Sequence, residues 1–176
     1  MGLDAEAADW LGRMRDGDVA AFEEMLRALG RPLYRYALGM VHDSGTAEDR
    51  VQDTLRKFVT ALRAGHEISE LRGYLFQSLR NTCLNYLRDR KRGEHGVERY
   101  REMLAENLSC SATQLQTTAS LYHALGCLPQ EQSDVILLRL NGDFPFQEIA
   151  TLLGENINTV YKRYQSGIQR LREALA

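Results

Sequence analysis

Apolar residues recur every three or four positions along most of this chain. That spacing places them on one face of an α-helix, whereas a half-buried strand would alternate apolar and polar residues. The pattern predicts several consecutive helices between Leu3 and Arg92 and a second group of helices from Ser120 onwards. Because no long alternating run occurs, strands have little support. The predicted fold class is therefore all-α, with two small helical domains.

Glycine, proline and short polar side chains divide the first group into separate helices. Asp18 is expected to cap a helix that ends at Gly30. Pro32 then suits the first turn of a further helix, because the backbone N–H that proline lacks would be unpaired there. Thr46, followed three residues later by Asp49, predicts a capping box at the start of the next helix.

The composition changes between residues 93 and 119. Polar residues, small residues and clusters of serine and threonine replace the periodic apolar pattern there. Such a composition is typical of a linker. The predicted organisation is a first domain at 1–92, a linker at 93–119 and a second domain at 120–176.

Two short helical patterns meet at Gly154 within the segment 146–175. Small Ala150 lets the two helices approach closely, and either Asn156 or Asn158 can cap the second one. The second helix has an apolar stripe on one side and a polar, partly basic face on the other. Such a face suits a helix that lies in the major groove of DNA. An ordinary amphipathic helix pair has the same pattern, so this segment alone leaves both interpretations open.

Two helices of the first group carry polar residues outside their apolar stripes. Acidic and amide residues at 48–53 lie near a helix N-terminus, where carboxylates also complement the helix dipole. The segment 70–92 mixes tyrosines with amides and arginines, a combination that suits unpaired bases on a charged strand. Each pattern also has an interpretation without a binding partner. The acidic residues can simply complement the helix dipole, the tyrosines can be core residues, and the basic residues can solvate the end of a helix.

Charge and cysteine usage narrow the possible classes of protein. The formal net charge of −2 excludes bulk attraction to nucleic acid, although local basic patches occur, as at 87–92. The three cysteines are widely spaced, so we expect neither a disulfide framework nor a metal site. The chain has no signal-like start and no apolar run of membrane length, so we expect a soluble cytoplasmic protein without membrane insertion.

The sequence offers little support for an enzyme. The four histidines are scattered, no phosphate-binding glycine loop is present, and no nucleophile has an evident base partner. We therefore expect no catalytic residues and no cofactor.

Taken in their order along the chain, the helical segments described above resemble a bacterial RNA polymerase sigma factor. The resemblance is to the sigma-70 family and, within it, to the small extracytoplasmic-function (ECF) type. The segments "GDVAAFEEML", "AEDRVQDTLRKFV" and "LRGYLFQSLRNTCLNYLRDRKR" are similar to its region 2. The segment "LPQEQSDVILLRLNGDFPFQEIATLLGENINTVYKR" is similar to its region 4. The resemblance covers nearly all of the chain and implies a subunit that binds core RNA polymerase and directs promoter-specific transcription initiation.

The resemblance also implies three sets of site residues and one further partner. The polymerase-binding set is Asp49, Gln52 and Asp53. The minus-ten set, which would face the melted promoter strand, is Tyr74, Asn81, Asn85, Arg88, Arg90, Lys91 and Arg92. The minus-thirty-five set, which would face duplex DNA, is Thr159, Lys162, Arg163, Ser166 and Arg170. The further partner is an anti-sigma factor that would hold the free protein inactive.

A conventional helix-turn-helix transcription regulator is the alternative. Its first domain would bind a ligand or a protein partner, and it would bind duplex DNA without polymerase. Transcription that depends on core polymerase would separate the two hypotheses.

Overall fold

The computed structural model describes residues 2–93 and 114–175, and over those ranges all of its regular structure is helical. The elements are α1 (Gly2–Arg15), α2 (Val19–Val41), α3 (Ser44–Arg63), α4 (Leu71–Gly93), α5 (Gln114–Gly126), α6 (Gln130–Asn141), α7 (Phe146–Leu153) and α8 (Ile157–Leu175). We call α1–α4 the first unit and α5–α8 the second unit. The predicted all-α class is confirmed.

Helix α2 runs through the position at which the sequence predicts a break. The expected end at Gly30 and new start at Pro32 are wrong, because both residues lie inside one helix. Buried side chains continue at helical spacing across the junction, from Met25 and Leu29 to Leu33. Proline inside a helix costs about 3 kcal/mol through a lost hydrogen bond and a steric clash. Burial of the continuous stripe outweighs that cost here.

The start of α3 also differs from the prediction. Asp43 is the N-cap residue, and its carboxylate accepts a hydrogen bond from the backbone N–H of Thr46 at 2.7 Å. Thr46 therefore lies in the first turn, and the predicted Thr46 capping box is wrong. Asp18 caps α2 as expected, since its carboxylate accepts a hydrogen bond from the Ala20 N–H at 2.9 Å.

The second unit begins within the segment that the sequence assigns to the linker. Helix α5 starts at Gln114, so residues 114–119 are helical. The rest of the predicted linker, residues 94–113, lies outside the described residues.

One hydrophobic core runs through both units. Phe76 of α4 packs edge-on against Tyr36 of α2, with ring centres 5.5 Å apart, and against Phe144 of the second unit at 5.2 Å. All three rings are fully buried. The two units therefore touch through packed aromatic side chains, instead of standing apart on a tether.

Helices α2 and α6 lie close together at Gly39. A Cβ atom on this buried glycine would overlap the side chain of Leu137, which is itself fully buried. The absence of a side chain at Gly39 is therefore what lets α6 lie against α2.

No helix within residues 2–93 and 114–175 combines the length and the apolar character that crossing a bilayer requires.

Candidate nucleic-acid interface

Helices α7 and α8 form the hairpin that the sequence predicts. Gly154 ends α7 in the left-handed region, with φ 66°, and its N–H points at the carbonyls of Ala150 and Thr151. Asn156 then accepts a hydrogen bond from the backbone N–H of Asn158 at 2.8 Å, which caps the start of α8. Glycine at the turn and asparagine at the cap fix the direction in which α8 leaves the turn.

The buried side of α8 lies against α6. Val160 and Leu171 are buried, and Gly167 lies so close to α6 that a Cβ there would be 2.7 Å from Cδ1 of Ile136. The helical spacing of α8 alone does not predict this contact with α6. Close packing on one side leaves the other side of α8 open, and its exposed residues include Tyr161, Lys162, Gln165, Ser166, Gln169 and Arg170.

The predicted minus-thirty-five residues differ in exposure. Lys162, Ser166 and Arg170 are exposed and share one side of α8, whereas Thr159 is half-buried. Arg163 is 22 % exposed and makes ion pairs with Glu131 at 3.1 Å and Glu155 at 3.0 Å. Arg163 therefore ties α8 to the start of α6 and to the turn before α8.

Three exposed residues on the open side of α8 are absent from the predicted set, namely Tyr161, Gln165 and Gln169. Tyr161 is 48 % exposed, and its ring packs edge-on against Phe146, with ring centres 5.5 Å apart. Helical spacing was the available signal, because residues three and four apart lie on the same side of a helix. Gln165 lies three residues after Lys162, Tyr161 lies four residues before Gln165, and Gln169 lies three residues after Ser166. Their side chains extend the polar surface of α8.

The predicted polymerase-binding residues lie together on α3. Asp49 and Gln52 are exposed. Asp53 is 30 % exposed and is held by Arg50 at 3.3 Å and by Arg56 at 3.2 Å. The surface thus presents one freely exposed carboxylate, one amide and one carboxylate that two arginines orient.

Helix α4 carries most of the predicted minus-ten residues on its outer side. Asn81, Asn85, Arg88 and Lys91 are exposed, and Arg88 donates a hydrogen bond to the Asn85 side-chain oxygen at 3.1 Å. Tyr74 is half-buried, and its ring lies 6.0 Å from that of Phe58 in the core. Arg90 is half-buried, and the side chain of Arg92 lies outside the described residues.

An open cleft of about 470 Å³ separates α3 from α4. It brings Asp53 of the polymerase-binding set next to Asn85 and Arg90 of the minus-ten set. Its other lining residues, which the sequence analysis did not select, are Arg50, Lys57, Thr82, Tyr86 and Asp89.

Internal contacts order the walls of this cleft. Lys57 donates a hydrogen bond to the Thr82 hydroxyl at 3.1 Å, and the Arg50 guanidinium lies over the Tyr86 ring, 5.4 Å from its centre. These contacts join α3 to α4 and keep the polymerase-binding and minus-ten sets on adjacent surfaces.

Among residues 2–93 and 114–175, no three His, Cys, Asp or Glu side chains are grouped so that they could hold a metal ion.

Two protein-family descriptions match this chain in order. Residues 25–93 match Sigma-70 region 2, and residues 118–171 match Sigma-70, region 4. The first match contains α3 and α4, which carry the polymerase-binding and minus-ten sets. The second contains the hairpin of α7 and α8.

Individual relatives cover most of the chain. The RNA polymerase sigma-E factor of Streptomyces avermitilis is 30 % identical over 92 % of this chain and 89 % of its own length. The RNA polymerase sigma factor SigV of Bacillus subtilis is 27 % identical over 79 % of this chain and 81 % of its own length.

A solved structure has the same fold. It is the sigma factor RpoE of Bartonella quintana in complex with the anti-sigma factor NepR, with a TM-score of 0.68 and 27 % sequence identity. The match covers 89 % of this chain and 98 % of that one. The chain belongs to the sigma-70 family of RNA polymerase sigma factors, in its extracytoplasmic-function type.

Proposed function

We propose that this chain is a dissociable subunit of RNA polymerase that binds the core enzyme and selects promoters. The observation that carries the proposal is the order of the two matched regions together with the exposed polar surfaces that they contain on α3, α4 and α8. Members of this family are generally not enzymes. The chain supplies recognition, and the polymerase supplies the chemistry.

Polymerase binding is assigned to the N-terminal part of α3. Asp49 and Asp53 offer carboxylate oxygens, and Gln52 offers an amide, to a basic surface on the core enzyme. Because Arg50 and Arg56 hold the Asp53 carboxylate in place, that oxygen is oriented before the partner arrives. Asp49 adds an exposed charge that favours encounter with a basic partner.

Contact with the melted minus-ten strand is assigned to α4. Asn81 and Asn85 present amides that can hydrogen-bond to the edge of an unpaired base. Arg88 and Lys91 lie on the same helix and can hold the phosphates that flank such a base. Tyr74 supports this surface from the core side through its contact with Phe58.

Contact with the minus-thirty-five duplex is assigned to the exposed side of α8. Lys162 and Arg170 can address guanine or phosphate, and Ser166 can hydrogen-bond to either. Arg163 has a different part in this proposal, because its two ion pairs hold the start of α8 in position.

An anti-sigma factor is proposed as a further partner. The support is the fold shared over 89 % of this chain with a sigma factor whose structure was solved in complex with an anti-sigma factor. Native co-purification followed by peptide sequencing tests this partner, and recovery of core polymerase as the sole stoichiometric partner would count against it.

Run-off transcription with purified core polymerase tests the central proposal. The intact chain is expected to confer discrete start sites that core polymerase alone does not produce. Chains carrying Asp49→Arg or Asp53→Arg should lose at least tenfold in core affinity in a pull-down, since like charges would then face the basic partner. Asp16→Arg makes the same change on an exposed residue outside α3 and serves as the control.

Promoter variants test the minus-thirty-five surface separately. Lys162→Ala and Arg170→Ala should each weaken promoter binding by the holoenzyme, with a smaller salt dependence if the lost contact is to phosphate. Arg172→Ala is the matched control, because Arg172 is exposed on α8 but points to another side of the helix. Equal losses for all three variants would remove the proposed reading surface.

The same experiments address a conventional DNA-binding regulator. Such a protein would bind duplex promoter DNA without polymerase and would not confer start sites on core enzyme. Binding of that kind, with no effect on start-site choice, would replace the proposed function.

A further inference from the structure

Three aromatic side chains lie together where α7 begins beside α8. Phe146 is the first residue of α7, and its ring packs edge-on against Tyr161, with ring centres 5.5 Å apart, and against Tyr164 at 5.0 Å. Phe146 and Tyr164 are half-buried, whereas Tyr161 is 48 % exposed. Tyr161 is therefore a large ring that a neighbouring ring holds and that solvent still reaches.

The end of α6 and the start of α7 fix Phe146 in turn. The Arg139 guanidinium lies over the Phe146 ring, 5.8 Å from its centre, and donates a hydrogen bond to the Phe144 carbonyl at 3.1 Å. Pro145 is the N-cap residue of α7, so the backbone that leads into Phe146 has a restricted φ angle. The Phe146 ring is thus a fixed support for Tyr161.

Tyr161 lies on the part of α8 that would reach base edges. It is the fifth residue of α8, and residues near the N-terminus of a helix in the major groove are those that contact bases. Gln165 is exposed one helical turn later on the same side, and Lys162 is exposed next to Tyr161. Tyr161 therefore belongs to the surface assigned above to the minus-thirty-five duplex.

The exposed part of Tyr161 differs chemically from its neighbours on this surface. Lysine, glutamine and serine side chains offer hydrogen bonds, whereas most of a tyrosine ring is apolar. In the major groove, thymine presents an apolar 5-methyl group, and apolar side chains recognise thymine by contact with it. A ring that is already held in one orientation also loses less conformational freedom on binding than a mobile ring does.

We propose that Tyr161 recognises one thymine of the minus-thirty-five element through its 5-methyl group, and that Phe146 is the positioning residue for this contact. The Tyr161 ring removes the methyl group from water, and the contact needs no hydrogen bond. This inference rests on the proposed function, because only a chain that binds duplex DNA through α8 would use the contact.

Deoxyuridine tests the contact, because it lacks the 5-methyl group and keeps the hydrogen-bonding groups of thymine. A promoter selected by the holoenzyme is prepared with each thymine of its upstream element replaced singly by deoxyuridine. Competition binding should show one position at which the holoenzyme with the parent chain loses roughly fourfold in affinity. That loss is the value expected when one methyl group is no longer buried.

Variants of Tyr161 assign this loss to the ring. With Tyr161→Ala, the holoenzyme should bind the thymine and deoxyuridine promoters equally well, because no ring contacts the methyl group. Tyr161→Phe keeps the ring and should retain the fourfold ratio. Gln165→Ala is the matched control, since Gln165 is exposed on the same side of α8, and this variant should also retain the ratio.

Variants of Phe146 test its positioning role. Phe146→Leu keeps an apolar side chain but removes the ring that holds Tyr161, so the ratio should fall towards one. The salt dependence of binding reports phosphate contacts and should not change. Phe146→Tyr keeps a ring and should restore the ratio. A merely structural role for Phe146 would instead weaken binding to both promoters equally and leave the ratio at fourfold.

Three results would overturn the proposal. The first is the absence of any position at which deoxyuridine weakens binding. The second is a fourfold ratio that persists in Tyr161→Ala. The third is loss of the ratio in Tyr161→Phe, which would assign the contact to the hydroxyl group and not to the ring. A fourfold ratio in Phe146→Leu would refute the positioning role.

Run-off transcription separates this inference from the proposed function. Discrete start sites together with equal binding to the thymine and deoxyuridine promoters would refute thymine recognition alone. If the chain confers no start sites on core polymerase, the proposed function fails, and thymine recognition by the holoenzyme fails with it.

Discussion

At the scale of single residues, His42 ends α2 of the first unit and packs against α5 of the second unit. It follows α2 in the left-handed region, with φ 57°, and a Cβ at Gly126 of α5 would lie 3.0 Å from the imidazole Cε1. Burial, assisted by the nearby His123, lowers the pKa of His42 to about 4. The neutral imidazole is therefore the form that the folded chain accommodates.

This pKa shift predicts a pH dependence of stability with a definite sign. Above about pH 6.5, the ordinary value for histidine, the unfolded and folded states are both neutral at this position. As the pH falls from 6.5 to 4, the unfolded chain binds a proton that the folded chain does not, so stability is lost. The loss is about 1.4 kcal/mol per pH unit at most, or about 3 kcal/mol across the window.

His42→Asn is the variant that tests the assignment. Asparagine tolerates the left-handed backbone and does not titrate, so the variant should keep the turn and lose the pH response. Urea unfolding at several pH values should show the parent chain losing about 2–3 kcal/mol relative to the variant between pH 7.5 and pH 4.5. A constant difference between the two chains would mean that His42 is not the titrating group.

At the scale of elements, the packing of α8 on α6 depends on a glycine that helix propensity alone would disfavour. Gly167→Ala should favour α8 by about 1 kcal/mol in isolation. In the folded chain the new methyl group would crowd Ile136, and overpacking of a buried contact costs about 1–3 kcal/mol. We therefore expect a net loss of stability in urea unfolding and a displacement of α8 relative to α6.

Gly12→Ala provides the comparison for this substitution. Gly12 is exposed on α1, and a Cβ there would meet nothing within 4 Å. Alanine at that position should stabilise the chain by about 0.5–1 kcal/mol. If both variants gained stability, the contact between Gly167 and Ile136 would not constrain α8.

The helix boundaries also show which single residues predict a turn or a cap correctly from the sequence. Gly154 marked the turn of the hairpin correctly, because a left-handed backbone favours glycine. Of the two predicted cap candidates, Asn156 and Asn158, it is Asn156 that accepts the hydrogen bond. Gly30 and Pro32 gave a wrong prediction of a helix end. The free energy that these residues cost inside a helix is smaller than the free energy gained by burying the apolar stripe that continues past them. Local chemistry predicts an element only where tertiary burial does not oppose it.

For the site residues too, the local sequence pattern predicts some features, and other features depend on the tertiary fold. The exposure of Asn81 and Lys162 followed from helical periodicity, which separates the polar side of a helix from its buried side. The ion pairs of Arg163 did not, since Glu131 and Glu155 come from other parts of the second unit. A sequence pattern predicts which side of its own helix a charge occupies, but the partner on another helix depends on the tertiary fold.

At the scale of the whole molecule, the spacing of apolar residues along the sequence does not predict the contact between the two units. Asp134 is an acidic residue among the buried apolar residues of α6, and nothing in the helical spacing of Tyr36 indicates a partner in the second unit. Their pairing across 98 residues of sequence joins two units that the composition had separated by a linker. Charge complementarity between buried positions becomes visible only once the helices are placed.

The shared core leads to a prediction about cooperativity. Because Phe76, Tyr36 and Phe144 are buried against one another across the boundary, the parent chain should unfold in a single calorimetric transition. Gly39→Leu would place a side chain against Leu137 and disrupt the contact between α2 and α6, so the two units should then melt separately. Gly30→Leu is the control, because a Cβ there meets nothing within 4 Å, and it should retain the single transition. Two transitions in the parent chain would show that the interface is too weak to couple the units.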